Sequence, residues 1–535
     1  MRNATLVLFT APLLLFMVGC AAQFTFTSSP VTPPSGTTGQ VSLTITDTPP
    51  AGVAVLFSQL SITGASLEPG NVSLLSSTSP IPVNVSQLQA DSAFLGSANV
   101  ATGTYTSLSL TFSNPQLTIY NASDSAITSS CTIGTVCQLT PTTTPLTLTF
   151  SSAPFPVTLA ANSPLAFKLD IHLNAIIQSD LSVNLAATNG VTLSQLPSPP
   201  AGGPISGLGT LIGTAQSVGT NQFTLQTADG RTFTIYVNGS TTYSLPDSLC
   251  LPGSTICPAL STCAINTFSC LIVGEVDRVT VSLQLDGTLL ATEVAYLQPA
   301  TQQAVEGTIV GLSTSGGNTI IDLILQEQPL SSMSSTLPSG AHASVTVPSS
   351  GVTYLVDWDI FTPPSGVALS FGSASDLQVG QEVLVFVQGS VTTSSGSGTS
   401  GATGSSPVGP ATLSFTTNFI SLEPTQITGQ ISNINAGALN FTISTFPNFF
   451  IPTEEPWGTP TLLSTYITVD TTAQTTYQGL SQDNLSGLAV NDLVSVEAWL
   501  FPYSGPTALV MCVTPCPVAT TMVAKAVRGR PNQLF

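Results

Sequence analysis

The first third of the chain alternates apolar and polar residues in short runs. Val41, Leu43 and Ile45 alternate with polar residues, which is the period of a β-strand with one buried face. The same period returns in three later runs, at Leu108, Leu110 and Phe112, at Phe167, Leu169, Ile171 and Leu173, and at Leu181, Val183 and Leu185. Short strands divided by turn-forming residues are typical of a β-sandwich, which we place at residues 40–196. Residues 197–204 are rich in proline and glycine and mark a linker.

After the linker, the chain repeats a set of signals three times. Each copy opens with an apolar strand that passes through a glycine, at Ile205-Ser206-Gly207, Val305-Glu306-Gly307 and Ile427-Thr428-Gly429. A Thr-Tyr pair follows at 242–243, 353–354 and 476–477, and then an apolar run at 271–273, 383–387 and 493–496. Because this spacing exceeds that of solenoid repeats, each copy is interpreted as a whole small domain, at 205–300, 304–422 and 426–525.

The repeated glycine predicts a bulge or bend of the kind that turns the corners of small barrels. Asp229-Gly230 and Asp286-Gly287 lie between alternating runs, as the tight turns of hairpins do. Barrels of five or six strands are expected. The predicted fold class is therefore all-β, with an N-terminal β-sandwich followed by three small β-barrel-like repeat domains.

The N-terminus has the pattern of a bacterial lipoprotein signal. Arg2 precedes an apolar run at residues 6–18 that is too short to span a bilayer, and Gly19-Cys20 follows. We predict a signal peptide at 1–19, a membrane-anchoring lipid on Cys20 and a flexible tether at 20–39. An ordinary signal peptide with a coincidental cysteine is the alternative. Ala21 and Ala22, where an Asp commonly retains such proteins in the inner membrane, favour the outer membrane, on its periplasmic or its exposed face.

Charged residues make up only 6% of the chain and hydrophobic residues 42%, so the surface relies on uncharged polar residues. Such a composition favours strands over helices. The formal net charge is −19, which argues against nucleic-acid binding because that requires a basic surface. Three of the seven basic residues, Lys525, Arg528 and Arg530, lie near the C-terminus. We interpret residues 526–535 as a basic tail that is frayed or that touches acidic lipid or a partner.

Eight cysteines remain once Cys20 is assigned to the lipid, and they form three local groups. They are Cys131 and Cys137, then Cys250, Cys257, Cys263 and Cys270, and finally Cys512 and Cys516. Close, even-numbered groups predict disulfides made in an oxidising compartment. The middle four allow three connectivities. Zinc binding by these four is the alternative, but the paired Cys-x2-Cys spacing that zinc favours does not occur.

Two family resemblances rest on short motifs. Residues 46–49 (Thr-Asp-Thr-Pro), 103–110 and the 167–173 strand resemble domain of unknown function 4382, which occurs behind lipoprotein signals in bacterial envelope proteins. The glycine-containing repeats are similar to domain of unknown function 5666, a small barrel-like module that often occurs in tandem. The copies depart from that pattern in the cysteine-rich stretch at 250–270. These resemblances imply a fold and a setting, and no catalytic residue.

The sequence offers few groups for catalysis. His172 shares a strand face with Lys168 and Asp170, which predicts a solvated face or a polar contact patch, and His342 lies in a loop-like Ser-Gly-Ala-His-Ala-Ser context. Acids flank two tryptophans: Asp357 and Asp359 flank Trp358, and Glu454 and Glu455 precede Trp457. Acids beside an aromatic ring suggest a glycosidase or a glycan-binding surface, although exposed acids beside a buried tryptophan are the simpler reading.

We therefore expect a non-enzymatic, lipid-anchored cell-envelope protein with a display, adhesive or scaffold role. Its predicted partners are the membrane, through the lipid on Cys20, and envelope proteins or glycans. No cofactor and no metal are expected. The alternative is a carbohydrate-binding or carbohydrate-active protein that uses Trp358 or Trp457.

Overall fold

The protein is described here from a computed structural model. It covers residues 38–48, 54–75, 79–120, 126, 131, 136–178, 180–196, 205–244, 267–298, 303–327, 337–356, 369–393, 413–445, 467–502 and 520–529. Within these residues the chain is built from β-strands, and the all-β prediction is confirmed. Helical structure there is limited to α1 (Leu173–Ile176) and to 3-10 turns at Val85–Gln87, Phe268–Cys270, Ala374–Asp376 and Leu485–Gly487.

The N-terminal domain is a sandwich of two sheets. Its strands are β1 (Thr38–Thr48), β2 (Ala54–Glu68), β3 (Val72–Ser73), β4 (Ile81–Asn84), β5 (Ala93–Ala101), β6 (Gly103–Tyr105), β7 (Ser107–Tyr120), β8 (Val136–Leu139), β9 (Thr143–Thr144), β10 (Thr147–Phe150), β11 (Val157–Leu159), β12 (Pro164–His172), β13 (Val183–Asn184) and β14 (Val191–Gln195). The order β14-β12-β1-β5 forms one sheet, which continues past β5 into the domain that follows, and β10-β7-β2-β3 forms the other. The apolar positions of β1, β7 and β12 share one core, as their alternation predicted.

One of the predicted runs in this domain does not form a continuous strand. Only Val183 and Asn184 pair, as β13, while Leu181 has a left-handed backbone with φ +63°. Leu181, Val183 and Leu185 are all buried, so the apolar spacing is real. A turn presents these side chains to the core where an extended strand was expected.

Three barrels follow. Barrel 1 contains β15 (Ile205–Val218), β16 (Gln222–Thr227), β17 (Thr232–Tyr236), β18 (Thr242–Ser244), β19 (Val276–Leu283) and β20 (Leu289–Gln298). Barrel 2 contains β21 (Ala304–Ser315), β22 (Asn318–Glu327), β23 (His342–Val347), β24 (Thr353–Val356), β25 (Glu382–Phe386), β26 (Gln388–Thr393), β27 (Leu413–Thr416) and β28 (Phe419–Glu423). Barrel 3 contains β29 (Thr425–Asn435), β30 (Asn440–Thr445), β31 (Ile467–Asp470), β32 (Thr476–Gln478), β33 (Leu493–Pro502) and β34 (Thr520–Gly529).

The three barrels close in the same way. In barrel 1, β15 pairs with β16, β16 with β17, β17 with β20 in parallel, β20 with β19, and β19 with β15. Barrel 3 repeats these pairings with β29, β30, β31, β34 and β33. Barrel 2 does so with β27 and β28 together in place of the fifth strand. The order 1-2-3-5-4-1 is that of a five-stranded Greek-key barrel of the OB type.

Several of the predicted signals occupy equivalent places in these barrels. The three Thr-Tyr pairs begin β18, β24 and β32, and each of these short strands runs parallel to the fifth strand. Asp229-Gly230 and Asp286-Gly287 form the hairpin turns β16–β17 and β19–β20, with φ near +84° at both glycines. The repeat hypothesis therefore agrees with the topology at these positions.

The first copy was aligned at the wrong glycine. Gly307 lies opposite Val383 and Gly429 opposite Val494, and the residue that makes this pairing in barrel 1 is Gly213, opposite Asp277. A side chain at Gly213 or Gly307 would lie 2.7 or 2.9 Å from a carbonyl oxygen of the neighbouring strand, so both positions need glycine. The error arose because β15 has an extra N-terminal stretch that contains a second apolar-x-Gly motif.

The apolar run at 271–273 was also misassigned. It is a turn before β19, and its equivalents are 377–379 and 488–490. Leu271, Leu377 and Leu488 are buried at the start of this turn. The turn ends with a left-handed residue in each barrel, at Gly274, Gly380 and Asn491. The backbone amide of each of these three residues donates to the first strand of its barrel.

The C-terminal residues are not frayed as far as the structure describes them. β34 extends to Gly529 and forms the fifth strand of barrel 3, so residues 526–529 of the predicted tail are structural. Arg528 is only 6% exposed. Its guanidinium donates hydrogen bonds to the N-terminal domain, and this corrects the prediction of a frayed tail. Arg530 lies outside the described residues.

Candidate functional site: the junction of the four domains

Residues 84–92 of the N-terminal domain, here called the junction segment, touch all three barrels. The segment runs from the end of β4 through the 3-10 turn Val85–Gln87 to the start of β5. Its polar side chains and backbone groups suit it to hydrogen bonding, because beyond Asn84 it forms no strand. Barrel 2 bonds to its first residue, Asn84, and barrels 1 and 3 bond to its later residues.

Barrel 1 docks on the end of the junction segment through β15. The Thr210 amide donates to the Ser92 carbonyl at 2.7 Å, and the Thr210 hydroxyl donates to the Asp91 carboxylate at 2.9 Å. Gly209 has φ +105°, and a Cβ there would lie 1.9 Å from the Ser92 oxygen. A glycine is therefore required for the two backbones to approach this closely.

A second contact with barrel 1 is made by the β16–β17 hairpin. Arg231 forms an ion pair with Asp229 at 2.8 Å and donates to the Leu95 carbonyl of β5. Burial acts to raise the pKa of Asp229, but the hydrogen bonds and charge of Arg231 outweigh it and lower that pKa. Phe94 and Phe233 meet edge to face beside this pair, with ring centroids 5.8 Å apart.

Barrel 3 makes hydrogen bonds to both the junction segment and β1. The Arg528 guanidinium donates to Thr46 Oγ1 at 2.6 Å, to the Asp91 carbonyl at 2.8 Å and to Ser92 Oγ at 3.2 Å. The Gln426 side chain accepts from the Ala90 amide at 2.7 Å and donates to the Gln87 carbonyl. Such two-way bonding by one amide fixes both position and orientation.

Barrel 2 contacts the N-terminal domain at two places. Asn84 Nδ2 donates to the Gln326 carbonyl at 2.8 Å, and Gln326 Nε2 donates to the Leu56 carbonyl at 3.0 Å. The Gly340 carbonyl accepts from Thr118 Oγ1 and from Gln138 Nε2, both at 2.8 Å. Leu56, Phe57, Val310 and Ile324 form a small apolar cluster between these polar contacts.

The barrels are also joined to one another by charged groups around the junction. Arg278 of barrel 1 contacts both carboxylate oxygens of Glu306 in barrel 2, at 3.0 and 2.9 Å. Lys525 of barrel 3 lies 3.6 Å from Glu293 of barrel 1 and 3.2 Å from its own Glu497. Burial alone would lower the pKa of Lys525, but these two carboxylates raise it, so the amine stays charged.

A cavity of about 140 Å³ remains where the four domains meet. Asp91, Arg278, Glu306, Gln426 and Glu497 line it. Burial, together with the charge of Glu497, raises the pKa of Asp91 despite the nearby Lys525 and Arg528. Around this cavity Arg278 is bonded to Glu306, the Asp91 carboxylate accepts from Thr210, and Glu497 pairs with Lys525. The first two of these contacts join different domains.

Nearly all the basic residues of the described chain serve such contacts. Five of the seven Lys and Arg lie in the described residues, and four of these five, Arg231, Arg278, Lys525 and Arg528, contact another domain. Because only 6% of the chain is charged, the presence of four of these five basic side chains at domain contacts indicates that charge is used mainly to join domains. No periodic pattern in the sequence indicates these residues, because their partners in other domains are 28 to 482 positions away.

The predicted disulfide between Cys131 and Cys137 is confirmed, with Cα atoms 5.3 Å apart. Cys270 is also disulfide-bonded, and its partner lies outside the described residues. The remaining predicted site cysteines, Cys20, Cys250, Cys257, Cys263, Cys512 and Cys516, lie outside the described residues too. The same holds for Trp358 and Trp457 and for the acids beside them.

One of the two histidines is placed as expected. His172 Nε2 lies 3.7 Å from Asp170 on the strand face that the alternation predicted, and both side chains are half-buried. His342 is the first residue of β23, is 5% exposed and lies 3.5 Å from Asp322, so the predicted loop is a strand start. In the described part of the chain, no three His, Cys, Asp or Glu side chains gather as a metal site would require.

Residues 38–192 match the protein family described as Domain of unknown function (DUF4382). This agrees with the resemblance inferred for the N-terminal domain and with the extent of its sandwich. The junction segment belongs to this matched region. No curated protein matches the chain. Among the described residues, no helix has the length and apolar character needed to cross a membrane.

Proposed function

We propose that the protein is a non-enzymatic, lipid-anchored cell-envelope protein in which a DUF4382-like domain holds three barrels as one rigid scaffold. The observation that carries this proposal is the junction segment, which bonds to all three barrels within nine residues. A chain of independent binding modules would need no such shared contact. The common topology of the barrels supports their likeness to domain of unknown function 5666.

The anchor and the location belong to the same proposal. They rest on the pattern that ends at Gly19-Cys20 and on the paired cysteines, which suit an oxidising compartment. A lipid on Cys20 would hold the scaffold at a membrane, with residues 21–37 as the spacer before β1. Envelope proteins or glycans are the proposed partners.

Rigidity is tested by small-angle X-ray scattering of the intact protein and of the double variant Arg278→Ala/Arg528→Ala. The parent should scatter as a single compact body, and the variant should show a larger radius of gyration because barrel contacts are lost. Equal, broad flexibility in both proteins would contradict the scaffold.

The anchor is tested separately by fractionation of cells that express Cys20→Ser. The variant should leave the membrane fraction, and retention equal to the parent would contradict lipidation. A glycan array gives a third result. Binding that is lost in Trp358→Ala or Trp457→Ala would replace the scaffold with a carbohydrate-binding role.

A further inference from the structure

Barrel 1 contains an acidic side chain at a position where the other two barrels have valine. Asp277 lies opposite Gly213, as Val383 lies opposite Gly307 and Val494 opposite Gly429. Both valines are fully buried and belong to the apolar clusters of their barrels. Asp277 is also 0% exposed, so a carboxyl group takes the place of a core side chain.

Within the described part of the chain, this carboxyl group has no hydrogen-bond partner. Neither oxygen of Asp277 is bonded, and the hydroxyl of Tyr296, which lies directly across the strand pair, is also unbonded. Glu275, two residues earlier and 2% exposed, is the other acid on this side. An ionised carboxylate without a partner is very costly to bury, whereas a protonated one is far less so.

Among the residues that the structure describes, none supplies a positive charge to offset an ionised Asp277. The next residue, Arg278, follows on the opposite face of the strand and contacts Glu306. From β20 the facing group is Tyr296, from β15 it is Gly213, and in the approach to β19 itself the nearest titratable group is Glu275. Burial, and then the charge of Glu275, raise the pKa of Asp277 well above its usual range.

Glu275 has a structural role that its counterparts share. Its carboxylate accepts from the Ile272 amide at 2.8 Å, as Gln381 accepts from Gln378 and Asp492 accepts from Ala489 in the other barrels. Burial raises the pKa of Glu275 to about 8 although that hydrogen bond opposes the shift. The cluster therefore holds two acids that favour the neutral form, and only Asp277 departs from the repeat.

This cluster lies beneath the contact of barrels 1 and 2. Val276 and Leu297, which flank it on the two strands, pack with Phe386 and Phe419 of barrel 2, and the ring of Tyr296 packs against the same group. Phe386 and Phe419 are stacked with centroids 4.2 Å apart. By strand alternation, Asp277 faces the core of barrel 1 with Val279 and Val281, while Val276 faces barrel 2. A charge formed at Asp277 would therefore destabilise the core of barrel 1 directly behind its contact with barrel 2.

We propose that Asp277, with Glu275 and Tyr296, forms a proton-binding latch in the core of barrel 1, which stabilises this barrel and the contact behind it with barrel 2 and weakens both when the proton is lost to solvent at alkaline pH. This inference does not depend on the scaffold role or on the lipid anchor. The folded chain binds the proton more tightly than the unfolded chain does. Stability is therefore greatest below the usual carboxyl pKa of about 4.5 and falls as the pH rises toward the folded value of about 8 at Glu275.

The test compares the full chain with Asp277→Val, which restores the residue of the other two barrels, and with Asp277→Asn. The temperature midpoint of unfolding of the parent should decrease as the pH is raised from about 5 to about 9. In both variants this dependence of the midpoint on pH should be reduced by at least half. Asp286→Asn is the matched control, since this exposed acid lies in the turn of the same hairpin and should leave the slope unchanged. An identical slope in the parent and the Asp277 variants overturns the latch.

Infrared spectroscopy keeps the proposal testable if a variant fails to fold. The parent at neutral pH should show the carbonyl band of a protonated, buried carboxylic acid, and the band should diminish at alkaline pH. Glu275→Gln, which copies Gln381, should fold and retain the Asp277 band. Hydrogen exchange at an alkaline pH should be faster in β19 and β25 of the parent than in Asp277→Val. Absence of the band from the parent at neutral pH would overturn the proposal.

Discussion

At the scale of single residues, the domain contacts depend on positions that tolerate few alternatives. Gly340 combines φ +75° with a carbonyl that accepts two side-chain donors from the N-terminal domain. Gly209 similarly lets β15 approach the Ser92 backbone. Neither position stands out in the sequence, because glycine is common throughout the chain and its neighbours in space are more than a hundred residues away.

Substitution of Gly340 by Ala should weaken the contact between barrel 2 and the N-terminal domain. The new Cβ would lie 2.6 Å from the ring of Phe57, in addition to a left-handed backbone penalty of about 1–2 kcal/mol. Gly351→Ala is the control, because Gly351 has φ +76° and nothing within 4 Å. Thermal unfolding should show a clearly larger loss for Gly340→Ala. Equal losses of stability in Gly340→Ala and Gly351→Ala would mean that the Phe57 ring moves aside without a measurable loss of free energy.

Loss of Arg528 should release barrel 3 from the N-terminal domain. Arg528→Met keeps the apolar stem but removes the three hydrogen bonds that this charged donor makes to the N-terminal domain, which we expect to cost about 3 kcal/mol or more. Arg528→Lys should be intermediate, because it keeps the charge and loses the planar fork. Limited proteolysis and unfolding midpoints rank the stability of the parent, Arg528→Lys and Arg528→Met. Arg528→Lys behaving like Arg528→Met would show that geometry, and not charge, determines the contact.

At the scale of strands and turns, much of the architecture could be predicted from alternation. A strand with one buried face has apolar and polar residues at alternate positions, and this pattern is visible in the local sequence. Val41 to Ile45, the Thr-Tyr pairs and the Asp-Gly turns were placed correctly. The repeat register of barrel 1 was not, because Gly207 and Gly213 lie in one long strand and only cross-strand pairing distinguishes them. The junction could not be predicted, since its partners share no local pattern.

The corrected register makes a prediction about glycines. Gly213→Ala and Gly307→Ala should both destabilise their barrels by about 1–3 kcal/mol, because the added methyl would meet a carbonyl oxygen of the second strand in each case. Gly239→Ala serves as the comparison, as a Cβ there meets nothing within 4 Å. The measurement is the unfolding midpoint of each variant. Tolerance of Ala at 213 with intolerance at 307 would count against the equivalence of the two positions.

At the scale of the whole molecule, the barrels share cores as well as polar contacts. Trp499, Phe501 and Val523 belong to barrel 3 but pack into the apolar cluster of barrel 2. Gln381 of barrel 2 donates to the Leu500 carbonyl of barrel 3 at 3.0 Å. The apolar interior is therefore shared between barrels 2 and 3, and the pairing of β5 with β15 joins the N-terminal domain to barrel 1. The domain boundaries predicted from the sequence stay a prediction.

Barrel 2 expressed alone should consequently be less stable than barrel 2 joined to barrel 3. A fragment of residues 304–422 exposes the surface that Trp499 and Phe501 cover, whereas a fragment of 304–529 retains it. We expect the longer fragment to melt at a clearly higher temperature by circular dichroism, and Trp499→Ala to remove most of the difference. Identical melting of the two fragments would show that barrel 2 is self-sufficient.

The bond between Thr46 and Arg528 joins positions 482 residues apart, in the first and the last strand of the described chain. During synthesis the N-terminal domain emerges first, so it can fold before any barrel exists and present its junction segment to each barrel in turn. A chain that stops before Arg528 would leave the Asp91 carbonyl and Ser92 Oγ without this donor. Attachment of barrel 3 to β1 is therefore the last of these contacts that can form.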